Sequence, residues 1–119
     1  MAEDQPHLAV SQRDDVQVVE FSDRKILEEL SIREIEDQLF ELVKGEGGIK
    51  LLLNFRNVEH LSSAALGMLI NLEKQVSQKN GKMMLSDINP QIYEVFKITR
   101  LNKMFEIHDT AAQALNRFR

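Results

Sequence analysis

Two short runs of alternating apolar residues open the chain, Leu8 to Gln12 and Val16 to Phe21 (VQVVEF), and they bracket Arg13-Asp14-Asp15. Alternation with period two around a polar turn predicts a β-hairpin. The period then lengthens. Ile32, Ile35, Leu39, Leu42 and Val43 fall on one face at 3.6-residue spacing while Glu34, Glu36, Asp37 and Glu41 cover the other, which predicts an amphipathic helix. Ser31 followed three residues later by Glu34 spells a capping box for its start, and Gly45 to Gly48 predict its end. Ile49 to Phe55 (IKLLLNF) is a short apolar run after glycines, the pattern of a strand covered on both faces.

A second helix is predicted from the serines at 62 and 63, with Ala65, Leu66, Leu69, Leu72 and Val76 as its buried stripe and Lys79-Asn80-Gly81 as its stop. Lys82 to Ser86 reads as another strand. Asn89 and Pro90 form an N-cap and N1 pair for a third helix with Ile92, Val95, Phe96 and Ile98 inward. A short strand follows at Phe105 to Ile107, and Asp109 can cap a last helix that buries Ala112 and Leu115. The predicted order is ββαβαβαβα, a single α/β domain with helices packed on a mixed sheet. Residues 1–7 are polar and aperiodic and are expected to be a mobile tail, leaving 8–119 as the domain.

Length and composition agree with one globular domain: 119 residues, 43% apolar and 29% charged, allow one core and exclude two ordinary ones. No apolar run reaches the roughly 18 residues of a membrane span, and the acidic start does not read as a signal peptide, so a cytoplasmic protein without direct membrane insertion is expected. With no cysteine there is no thiolate metal site, disulfide or thiol nucleophile. The net charge of −4 and scattered basic residues argue against nucleic acid as a partner. His7, His60 and His108 show no ligand spacing, and Gly45, Gly47 and Gly48 precede a strand rather than a helix, so neither a metal, a cofactor nor enzyme catalysis is expected.

Candidate chemistry concentrates at Ser62 and Ser63. Serine is among the best helix N-caps, which alone explains a pair of them before an apolar stripe. A helix N-terminus also favours negative charge, so a phosphate there could be tolerated by the domain while repelling a partner docked over it. Arg56, Asn57, His60 and Ala64, together with Met68, Asn71 and Gln75 off the buried stripe, complete a candidate docking surface around the serines. Asn54, at the end of a buried strand, reads as a tie for the loop backbone.

The chain resembles the STAS domain family of bacterial anti-sigma factor antagonists and of the tails of sulfate transporters. The resemblance rests on Leu53-Asn54-Phe55, Val58 and Ser62-Ser63-Ala64-Ala65-Leu66-Gly67, and on the closing segment Phe96 to Ile107. It implies a non-catalytic regulator that binds an anti-sigma factor with serine kinase activity and is phosphorylated at Ser63, with Ser62 as the alternative acceptor. Ser62 stands where antagonists usually carry Asp. By analogy Asp23 and Arg24, in the turn after the second strand, lie close to the serine loop and join the docking surface. The runner-up is a constitutive scaffold or accessory subunit in which the serines only cap the helix.

Overall fold

The computed structural model describes residues 4–5, 7–45 and 47–118. The predicted hairpin forms, with a short strand added before it: β1 (Asp4–Gln5), β2 (Leu8–Arg13) and β3 (Val16–Phe21) pair antiparallel in that order. Residues expected in a tail thus belong to the fold, since Asp4 and Gln5 pair with Ala9 and Leu8, while residues 1–3 and 6 lie outside the described residues. After β3 the chain makes a two-residue strand, β4 (Lys25–Ile26), and enters α1 (Glu29–Lys44). Then follow β5 (Lys50–Asn54), β6 (His60–Leu61), α2 (Ser63–Gln78), β7 (Lys82–Ser86), α3 (Pro90–Ile98), α4 (Leu101–Met104), β8 (Glu106–His108) and α5 (Ala111–Arg117). The predicted order is kept, with β1, the β4 and β6 pair and α4 inserted into it.

The main sheet runs β1-β2-β3-β5-β7-β8, and from β3 onward all neighbours are parallel. Parallel neighbours cannot be joined by a tight turn, which is why a helix separates each of them. Alternation within β5 explains the Leu51-Leu52-Leu53 run. Leu51 and Leu53 join the larger core with Val19, Phe21 and Leu85 beneath α1, α2 and α3, whereas Leu52 faces Val16, Val18, Met84, Ala114 and Phe118 under α5. Strands buried on both faces read as continuous apolar runs for this reason.

Several helix expectations shift. Glu28, not Ser31, precedes α1, and no side chain caps it. Pairing of β4 holds the chain extended as far as Ile26, so the helix starts one turn early and Ser31 falls inside it. Ile32, Ile35, Leu39 and Val43 are buried as predicted, and Leu42 is half-buried at the margin. In α3, Ile92 and Phe96 point inward, but Val95 is exposed and Ile98 is 79% exposed, because a nine-residue helix on the sheet buries only one narrow stripe. Thr110 rather than Asp109 caps α5, its hydroxyl accepting from the Gln113 N–H at 3.2 Å, and this one-residue shift buries Ala114 and leaves Ala112 exposed.

At the turn into β7 the packing is tight. A Cβ on Gly81 would stand 2.6 Å from the Ile49 carbonyl oxygen, whereas one on Gly67 in α2 would meet nothing within 4 Å. Gly81→Ala should therefore lose about 1–3 kcal/mol in urea unfolding, and Gly67→Ala should gain up to about 1 kcal/mol from helix propensity. Equal effects of the two would contradict this packing.

Candidate functional site

The serines sit at the end of the sheet where the parallel strands finish and α1, α2 and α3 begin. Between Asn54 and Ser62 the chain leaves the sheet, and polar groups from three directions hold it. The Asn54 side-chain oxygen accepts the Arg56 N–H at 2.8 Å, as its position at a buried strand end predicts, and Asn57 donates its side-chain amide to the Phe21 carbonyl at 3.3 Å. On one flank the Arg24 carbonyl accepts from the N–H groups of both Glu59 (2.7 Å) and His60 (3.1 Å), and β4 pairs in parallel with β6. On the other flank Asn89, the cap of α3, donates to the Val58 carbonyl at 3.2 Å while its oxygen accepts the Ile92 N–H at 2.8 Å.

Ion pairs add to the lashing. Arg24 meets Glu59 at 3.0 Å, and Arg56 meets Glu20 at 2.9 Å. Both pairs are largely exposed and add little stability by themselves. Their consequence is positional: Arg24, drawn by analogy to the serine loop, lies against it because its backbone is one of the loop's walls, while Asp23 bonds the His7 ring.

At the head of α2 the two serines divide their work. Ser62 is the N-cap, and its hydroxyl accepts the Ala65 N–H at 3.1 Å while its own N–H donates to the Ile26 carbonyl at 3.1 Å. Ser63 is the first helical residue and is exposed, and its hydroxyl has no hydrogen-bond partner among the described residues. The cap thus occupies one hydroxyl and leaves the other free. No hydrogen bond joins His60 to either serine, and no cluster of metal-ligating side chains exists among the described residues.

Of the residues assigned to the surrounding surface, Arg24, Arg56, Asn57, His60, Ala64, Asn71 and Gln75 are exposed, and Asp23 and Ser62 are half-buried. Met68 is a correction: it is 3% exposed and packs in the main core. The apolar stripe of α2 is wider than the five positions assigned to it, because α1 packs along the flank of the helix as well as the sheet below it. In place of Met68 the structure exposes Leu27 (48%) and Leu30 (70%), at the entrance to α1 beside the Ile26 carbonyl that holds Ser62. Two leucines in a Leu-Glu-Glu-Leu sequence carry no signal that they are left open. Between the loop, α2 and α3 lies a cavity of about 140 Å³ lined by Glu59, His60, Leu61, Leu66, Gln91, Ile92 and Val95.

Helices beginning around one end of a parallel sheet, with a free hydroxyl at the head of the central one, define a small α/β module whose chemistry is presented outward rather than enclosed. The sequence model of the STAS domain family matches residues 8–114, and the chain belongs to that family. A protein from Thermotoga neapolitana, provisionally named an anti-sigma factor antagonist, is 34% identical over 77 residues, which cover 65% of this chain and 68% of the relative. The anti-sigma F factor antagonist of Paenibacillus polymyxa is 27% identical over 78 residues, 66% of this chain and 67% of its own. In structure, an anti-sigma-factor antagonist (STAS) domain protein from Planctomyces limnophilus superposes with a TM-score of 0.85 over 92% of this chain and 96% of that one, at 20% identity. Among the described residues no helix is long and apolar enough to cross a membrane.

The division of labour between the serines is testable by stability alone. Ser62→Ala should lower the unfolding free energy by about 1 kcal/mol through loss of the cap. Ser63→Ala should stay within about 0.5 kcal/mol of the parent. The reverse order in urea titrations would show that the cap is misassigned.

Proposed function

We propose that this chain is a non-catalytic regulatory domain that binds an anti-sigma factor with serine kinase activity and is released from it by phosphorylation of Ser63. The observation that carries the reading is the free hydroxyl of Ser63, exposed at the head of α2 while Ser62 does the capping. The names of the relatives from Thermotoga neapolitana and Paenibacillus polymyxa support the same class of partner.

The docking surface consists of the pinned loop, Ser63 and Ala64, the exposed side of α2 at Asn71 and Gln75, the Asp23-Arg24 turn and the adjoining Leu27 and Leu30. Leu27 and Leu30 supply apolar area beside a polar centre, the composition of a binding surface rather than of an ordinary solvated face. A phosphate on Ser63 brings about −1.5 to −2 charges. The unpaired N–H groups of the first turn of α2 accommodate that charge, so the domain stays folded. A partner packed over the same turn must desolvate it, and each 1.4 kcal/mol so lost is about a tenfold loss of affinity.

Incubation with the cognate anti-sigma kinase and ATP should add one phosphate, lost in Ser63→Ala and kept in Ser62→Ala. Asn71→Arg should weaken capture of the unmodified domain by about tenfold or more with an unchanged melting temperature. Modification at Ser62 alone would overturn Ser63 as the acceptor, and no modification by any kinase that binds the domain would favour a constitutive scaffold.

A further inference from the structure

His7 lies where three separate parts of the chain meet. Its carbonyl accepts the Ser22 N–H at 2.7 Å, tying the residue between β1 and β2 to the end of β3. Its ring reaches two acids: Nδ1 is 2.5 Å from Asp23 Oδ2 in the turn after β3, and Nε2 is 3.3 Å from Glu34 Oε1 on α1. The backbone there adopts a φ of 78°, a region that non-glycine residues seldom occupy, so these contacts hold an elbow that the chain does not prefer by itself.

Both ring nitrogens face carboxylate oxygens, which only accept hydrogen bonds when ionised. An imidazolium has a donor on each nitrogen and satisfies both. Neutral imidazole has one donor, so one carboxylate would then face a lone pair. We propose that His7 is a proton-dependent latch that holds the N-terminal strand against the turn beside the serine loop. When the ring is charged, Asp23 is occupied and β1 is fastened. As the proton leaves, the ring can keep a hydrogen bond to only one of the two acids, so the fastening weakens beside Arg24, whose carbonyl carries Glu59 and His60.

Asp23 and Glu34 are the charged groups that face the ring, one from the turn and one from α1. Partial burial works against the charged ring, but hydrogen bonds and attraction to Asp23 and Glu34 outweigh it and raise the pKa above the ordinary 6.5. Since the folded-state value is the higher one, the fastening is complete below 6.5 and is lost as pH rises through the folded value. The latch goes beyond the docking reading and stands without it, because it needs no partner.

The test is an NMR titration of the full chain, following the His7 ring and hydrogen exchange at the Ser22 amide, corrected for its intrinsic pH dependence. The ring should titrate above 6.5, and Ser22 should exchange about tenfold faster on the alkaline side with the same midpoint, since hydrogen bonds to charged groups are strong enough for that factor. His7→Gln should remove the step at Ser22, and Glu34→Gln, which leaves Asp23 in place, should lower the ring's midpoint. A midpoint at or below 6.5, a step that survives in His7→Gln, or a midpoint unmoved in Glu34→Gln would overturn the latch.

Discussion

The burial of β5 on both faces, between β3 and β7, is the constraint from which the rest of the molecule follows. Leu51 and Leu53 are sealed under the helices and Leu52 under α5, and the backbone bonds to parallel neighbours on either side. A strand so enclosed has one register, because a slip by one residue would exchange its two faces and mismatch both cores at once. Where β5 ends is therefore fixed, and with it the point at which Asn54 turns the chain outward toward the serines.

From that point the site is built mainly by backbone hydrogen bonds, with side chains as clamps. Arg24 gives a carbonyl to two successive N–H groups, Ile26 gives one to Ser62, and Asn89 closes the opposite flank. Such bonds are indifferent to the side chains of Glu59, His60, Ser62 and Ser63. The surface can change in chemistry without disturbing its support, which suits a fold that offers a face to another protein. Ser62 illustrates it: Ser or Asp alike can accept the N–H that a helix head presents, and Ser62 accepts that of Ala65.

Polar groups left over from this scheme mark where the molecule is tuned rather than merely folded. His7 between two carboxylates is one. Another is Glu73 on α2, whose carboxyl is pushed up by burial even though Ser77 donates to it. Because protonation relieves that burial, Glu73 works against folding most when it is charged. Neither residue belongs to the apolar clusters that hold the helices against the sheet.

By itself the sequence determined the periodic part of this protein: the hairpin, the doubly buried strand at 50–54, the helices over 32–43 and 63–78, and the serine pair at the head of the latter. Those features are legible because each is encoded within one turn of helix or a few residues of strand. Met68, Val95, Ile98, Ser31 and Asp109 were not, since whether a marginal helix position is covered, or which residue caps, depends on neighbours distant in the chain. The two-residue pairing of Lys25-Ile26 with His60-Leu61 is too short to carry a period, yet it sets the start of α1 and one wall of the serine loop. Only the tertiary structure decided that Ser62 is consumed as a cap while Ser63 is left open, because their difference lies in φ and ψ and in the position of Ala65, not in the identity of two adjacent serines.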